Sequence, residues 1–155
     1  MSKFSITSND FKEGEEIPKK FGYKFENLAP NIIFRNIPDN AQSFALIMDD
    51  PDAMAAVGKV WVHWLVSDKL ATSTDNLYEQ VAIGSEGPLT LGKTDFGEIG
   101  YGGPAPPNGR HTYIFKGYAV DVKLGLKEGF SKQDLEDAMK GHIIEEAKLT
   151  GTFTS

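Results

Sequence analysis

Residues 95–113 read Asp-Phe-Gly-Glu-Ile-Gly-Tyr-Gly-Gly-Pro-Ala-Pro-Pro-Asn-Gly-Arg-His-Thr-Tyr, and the next nine continue Ile-Phe-Lys-Gly-Tyr-Ala-Val-Asp-Val. Five of the chain's 16 glycines and three of its 8 prolines fall between Asp95 and Arg110. Glycine costs backbone entropy inside a helix or strand and proline removes a ladder donor, so this part is a shaped loop. After it the pattern changes. His111, Tyr113, Phe115, Gly117, Ala119 and Asp121 alternate with Thr112, Ile114, Lys116, Tyr118, Val120 and Val122, the period of a strand with two faces. His111 and Tyr113 therefore share a face at the strand's entrance, at the rim of a glycine-proline wall.

Outward from this stretch, other short β-rich runs appear. Residues 4–7 and 31–36 are strand-like, whereas Pro18, Gly22 and Pro30 keep residues 8–30 irregular, with room for one short strand around 23–25. Residues 42–49 carry the apolar run Phe44-Ala-Leu-Ile-Met48, the pattern of a strand buried on both faces, and it ends in Asp49, Asp50 and Asp52 around Pro51. A turn at Gly58-Lys59 leads to a strand over 60–66, where plain alternation puts His63 on one face with Trp61 and Leu65. Residues 67–77 read as loop and 78–83 as a short strand. From Ser131 the spacing of Leu135, Ala138, Met139, His142 and Ile143 predicts a helix to about residue 148, with Ser131 as N-cap, Asp134 in the first turn and His142 on the half-buried face. Residues 149–153 then fit a short closing strand. The expected fold is mainly β: an antiparallel sandwich-like arrangement of a large sheet on a smaller one, with a peripheral C-terminal helix packed at an edge.

The chain has 155 residues with 40% hydrophobic content, which fits one domain over residues 1–155. A net charge of −6 argues against a nucleic-acid surface, since a basic stripe is missing. With no cysteine there is no disulfide framework and no thiolate nucleophile, in keeping with a cytoplasmic protein. The N-terminus lacks the apolar segment of a secretory signal, and no apolar run approaches a membrane span, so a soluble, unprocessed chain is expected. A homodimer is left open.

Three chemistries compete for the polar residues. The Gly97-Glu-Ile-Gly-Tyr-Gly-Gly run is not a nucleotide loop, because prolines follow where a helix should start and no Walker lysine is present. His63, His111 and Asp50 form a two-histidine, one-carboxylate set of the kind used by non-haem iron enzymes. The third is an anion pocket. A histidine beside a carboxylate tends toward its charged form and can donate to a phosphate, and N–H groups near Gly102 and Gly103 are candidate additional donors. The aspartates fit such a pocket if they brace a histidine or accept from the cation of a zwitterionic headgroup.

Asp50-Pro-Asp-Ala53, Trp61-Val-His-Trp64, Asp95-Phe-Gly97, residues 100–109 and His111-Thr-Tyr113, in that order, resemble the phosphatidylethanolamine-binding protein family, which includes the Raf kinase inhibitor proteins, and look most like its bacterial and archaeal branch. The resemblance implies a large antiparallel sheet on a smaller one and a pocket for phosphate-like anions at the sheet's end. It assigns that pocket to Asp50, His63, His111 and Tyr113, with Pro106 and Pro107, or Pro104, in the wall beside Gly102 and Gly103. The family pattern is broken at Met54, where proline is usual, and at Thr112, where arginine is usual. On this reading the protein is a small non-enzymatic binding module, without cofactor or metal, for a small anionic or zwitterionic ligand. It would regulate or inhibit a kinase or protease partner. The alternative is a metal-dependent or hydrolytic enzyme using His63, His111 and Asp50.

Overall fold

The computed structural model describes residues 3–71, 80–83 and 88–155. Two antiparallel sheets form the body. The smaller has the order β1-β2-β5, from β1 (Ser5–Thr7), β2 (Ile33–Arg35) and β5 (Gln80–Ala82). The larger has the order β6-β4-β3-β7-β8. Its members are β3 (Ser43–Asp50), β4 (Trp61–Lys69), β6 (Thr90–Leu91), β7 (Arg110–Val120) and β8 (Ile143–Thr154). All eight residues of β3 are buried, because it is the central strand of the larger sheet and carries a core on each face.

The face towards the smaller sheet gathers Phe44, Leu46 and Met48 of β3, Tyr113 and Phe115 of β7, Ile6 and Phe34 of the smaller sheet, and Phe4 just before β1. The opposite face gathers Ala45, Ile47, Val62, Leu65, Tyr118 and Val120 under Leu135 and Met139 of α2 (Lys132–Met139). Helix α2 thus lies across the outer face of the large sheet rather than along its edge. Eight residues are marginal as an isolated helix. Burying Leu135 and Met139 contributes about 3–6 kcal/mol, and a capping box satisfies its start: Asp134 N–H donates to Ser131 Oγ, and Ser131 N–H to the Asp134 carboxylate, both at 3.0 Å.

Several expectations need correction. The C-terminal helix ends at Met139, not near residue 148. Lys140 leaves helical geometry and Gly141 adopts φ +83°, a conformation glycine takes without strain, so the chain turns back into a strand. That strand, β8, is twelve residues long rather than a short closing piece, and it pairs with β7 from Arg110–Thr154 to Val120–Ile143. His142 sits in the turn, exposed, with Nδ1 2.9 Å from the Asp121 carboxylate. Around residues 23–25 there are turns following a 3-10 helix at Lys19–Phe21, not a strand. Strand β4 runs on to Lys69, into the expected loop, while residues 72–77 of that loop and residues 78–79 of the expected strand lie outside the described residues. A short helix, α1 (Ala53–Val57), stands between β3 and β4 where only a turn was read.

Candidate functional site

Strand β3 is antiparallel to both β4 and β7, so its C-terminal end meets their N-terminal ends. Asp50 closes β3, His111 is the second residue of β7, and Trp61 and His63 open β4. This meeting of strand ends brings Asp50, His63 and His111 to one cavity of about 180 Å³. Asp50 is 3% exposed, and both its oxygens are engaged: Oδ1 accepts the Asp52 N–H at 2.9 Å, and Oδ2 lies 2.6 Å from Nδ1 of His111. The other two aspartates of the cluster point elsewhere. Asp49 faces the second core and pairs with Lys132 and Lys116 at 3.0 and 3.5 Å, and Asp52 accepts the Thr112 N–H.

His63 reaches the cavity through a break in the strand's alternation. Met48 pairs with Trp64 but Asp49 with Val62, so β4 has one extra residue at this point, a β-bulge. Val62 and Leu65 consequently share the second core, whereas consecutive residues His63 and Trp64 both face the first, His63 against Tyr113 and Trp64 against Tyr101. The expected grouping of His63 with Trp61 holds at the cavity, but Leu65 lies on the opposite face.

The glycine-proline wall is pinned to β4 and to the segment before it. His63 Nδ1 donates to the Gly102 carbonyl at 2.7 Å, and Gly102 N–H donates to the His63 carbonyl at 2.8 Å. Gly103 N–H donates to Asn27 Oδ1 at 2.7 Å, and Tyr23 N–H to the Pro104 carbonyl at 3.0 Å. The two glycine N–H groups expected to serve an anion are therefore spent on His63 and Asn27. Of the wall, Ala105 and Pro107 line the cavity. Pro104 and Pro106 line a second cavity behind it, also of about 180 Å³, with Phe25 and Phe153. The Tyr113 hydroxyl is buried with no hydrogen-bond partner among the described residues. Burial pushes its pKa above the ordinary phenol range, and the nearby Asp50 charge adds to the rise without hydrogen-bond geometry.

Other lining residues escaped the sequence reading. Ala53, Ala56 and Val57 of α1, Trp61 and Phe96 complete an otherwise apolar lining. Trp61 was legible from its alternation with His63, and Phe96 from its place in Asp95-Phe-Gly97. Helix α1 is too short to show a period. The Trp61 indole N–H, buried and without a partner among the described residues, is a donor in reserve. Among the described residues no lysine or arginine lines the cavity, and nearby Lys59 is paired with Asp95 at 2.8 Å. Burial lowers the pKa of His63 below 6.5, opposed in part by the Gly102 carbonyl and the Asp50 charge. Among the described residues no three His, Asp or Glu side chains are placed to hold a metal ion, and Asp50 already has both oxygens occupied. The three-ligand alternative thus has no support in the geometry.

Comparison with known proteins agrees with this architecture. The phosphatidylethanolamine-binding protein family profile matches residues 7–154. A UPF0098 protein of Chlamydia muridarum is 41% identical over 150 residues, covering 96% of this chain and 97% of its own. One from Methanothermobacter thermautotrophicus is 39% identical over 151 residues with the same coverage. The crystal structure of a putative phosphatidylethanolamine-binding protein homologue from Chlamydia trachomatis superposes with a TM-score of 0.86 at 35% identity, over 100% of this chain and 99% of that one. That of E. coli YbcL, titled a new member of the mammalian family, gives 0.84 at 27% identity over 99% of each chain. Among the described residues no helix is long and apolar enough to cross a membrane. The chain belongs to the phosphatidylethanolamine-binding protein family.

Proposed function

We propose that this protein is a non-enzymatic binding module whose cavity takes the anionic head of a small phosphate-bearing or zwitterionic ligand, and that through this binding it regulates a cytoplasmic partner such as a kinase or protease. The observation that carries the reading is the pair of imidazoles held by Nδ1, one on Asp50 and one on the Gly102 carbonyl, at the floor of a single cavity. Rings fixed in this way meet a ligand without first losing rotamer freedom, and an imidazolium beside a carboxylate is a charge-assisted donor to an anion. Binding is favoured over turnover because the lining, among the described residues, has two imidazoles but no hydroxyl, thiol or amine for them to activate.

Calorimetric titration with inorganic phosphate tests the reading. A charge-assisted hydrogen bond is worth about 1.5–3 kcal/mol, so His111→Ala should weaken phosphate binding about ten-fold or more. Absence of binding to the parent protein, or equal binding by the variant, overturns the assignment, as does stoichiometric iron or zinc in the purified protein.

A further inference from the structure

Behind the glycine-proline wall, Phe25, Pro104, Pro106 and Phe153 enclose the second cavity of about 180 Å³. At that size, below the roughly 300–1,000 Å³ of drug-sized pockets, it seats one side chain rather than a whole metabolite. Phe25 is 57% exposed, the most exposed large apolar side chain among the described residues. A single exposed ring is ordinary, but a ring flanking an apolar hollow makes a continuous patch, and such patches mark interaction sites.

The rim of the hollow is basic. Residues 18–25 read Pro-Lys-Lys-Phe-Gly-Tyr-Lys-Phe, three lysines and no carboxylate in a chain whose net charge is −6. Lys24 lines the cavity. Lys19 Nζ stands 4.6 Å from the Phe153 ring centroid and 5.8 Å from that of Phe25, and donates to the Thr154 carbonyl at 2.6 Å. The neighbouring Glu16 carboxylate is engaged on β8, accepting from Thr152 Oγ1 at 2.8 Å and from the Thr154 N–H at 3.0 Å. Whereas Lys59, Lys116 and Lys132 each have a carboxylate partner, Lys20 and Lys24 have none among the described residues.

This surface is formed in advance. Tyr23 N–H is bound to the Pro104 carbonyl, and the Tyr101 hydroxyl donates to the Phe21 carbonyl at 2.8 Å, so the segment under the lysines is fastened to the wall. An occupant meets it without ordering it first.

We propose that the back cavity is the docking place of a protein partner, taking one aromatic side chain of an acidic segment while the flanking carboxylates meet Lys19, Lys20 and Lys24. The proposal rests on the reading above only in that a protein partner exists; the phosphate cavity is a separate site. The ring packs between Phe25 and the prolines, as a central aromatic anchor does in an interface. The lysines, point charges on flexible stems, select the sign of the partner and speed encounter without demanding one geometry. An anionic membrane surface would engage the lysines but leave the hollow unfilled.

The test is amide NMR of the full-length 15N-labelled protein, titrated to about 5 mM with the blocked peptide Asp-Glu-Phe-Glu-Asp. Saturable shifts should gather at residues 19–28 and 104–107. Replacing the peptide's Phe by Ala should weaken binding at least about ten-fold, the effect of burying one aromatic ring. Lys24→Glu should weaken the parent peptide about three-fold or more and leave inorganic phosphate binding unchanged. Saturable binding of Lys-Arg-Phe-Arg-Lys of similar strength, equal binding of the Ala peptide, or shifts that map elsewhere each overturn the proposal. So does co-sedimentation with phosphatidylglycerol vesicles in the absence of peptide binding. Phosphate binding without peptide binding overturns the docking surface alone, whereas peptide binding without phosphate binding supports it and removes only the anion-pocket reading.

Discussion

Gly103→Ala should damage the fold and the pocket together, although residue 103 lines neither cavity. A Cβ at this position would stand 2.0 Å from the Phe21 carbonyl oxygen, 2.8 Å from the Tyr23 nitrogen and 2.9 Å from the Gly22 carbonyl carbon, all backbone atoms that cannot rotate away. Restoring a 3.0 Å separation needs a retreat of about 1.0 Å. That movement stretches two hydrogen bonds beyond reach, Gly103 N–H to Asn27 and Tyr23 N–H to Pro104. Overpacking costs about 1–3 kcal/mol and each lost bond about 0.5–1.5 kcal/mol, so the expected destabilisation is about 3 kcal/mol. With a urea slope of about 2 kcal/mol per molar, the unfolding midpoint should fall by about 1.5 M. Phosphate affinity should fall too, because the neighbouring Gly102 carbonyl holds His63. Gly109→Ala is the internal control: its φ is +70° but a Cβ there meets nothing within 4 Å, so only left-handed strain of about 1–2 kcal/mol applies. If Gly103→Ala is no more destabilised than Gly109→Ala, the wall is not clamped against residues 21–23 and the reasoning fails.

Two further outcomes follow from buried charge. Because burial lowers the His63 pKa below 6.5, the unfolded chain binds more protons between 6.5 and the folded value; stability is therefore fully present above 6.5 and declines as pH falls through that window. Urea unfolding between about pH 7.5 and 5.5 should show a steeper loss in the parent than in His63→Gln, and parallel curves would contradict the assignment. Lys132→Met removes the nearer cation from Asp49, which is 2% exposed, and should cost about 1–3 kcal/mol in thermal or urea unfolding. Adding Asp49→Asn should recover part of that loss, and a neutral Lys132→Met would show that Lys116 alone suffices.

The central strand could be read from the chain because its signal is local, whereas the grouping of Asp50, His63 and His111 came from the resemblance to the family. An apolar run bounded by turns and carboxylates has few interpretations, and the alternation from His111 onward survives intact in β7. The C-terminal reading failed because two periods overlap: Leu135 and Met139 belong to a helix, and the chance spacing of His142 and Ile143 extended it past Gly141. Ala147, Leu149, Gly151 and Phe153 already alternate as an edge strand should, with Leu149, Gly151 and Phe153 buried. The orientation of Leu65 depended on a bulge, whose extra residue leaves no mark in side-chain type. The engagement of the Gly102 and Gly103 N–H groups was illegible for another reason, since it depends on the His63 carbonyl, 39 positions from Gly102, and on Asn27, 76 positions from Gly103.

The bulge at His63 also constrains how this protein can vary. Strand β4 is in one phase beside the cavity and the opposite phase beside the core, and the slip between them is a single residue. A substitution in β4 changes one contact, whereas gaining or losing one residue between Val62 and Val66 shifts the parity of everything beyond it and exchanges the populations of two interiors. A length change should therefore be tolerated better in the segments flanking β4 than within it, and the spacing of Trp61, His63 and Trp64 acts as one mechanical unit.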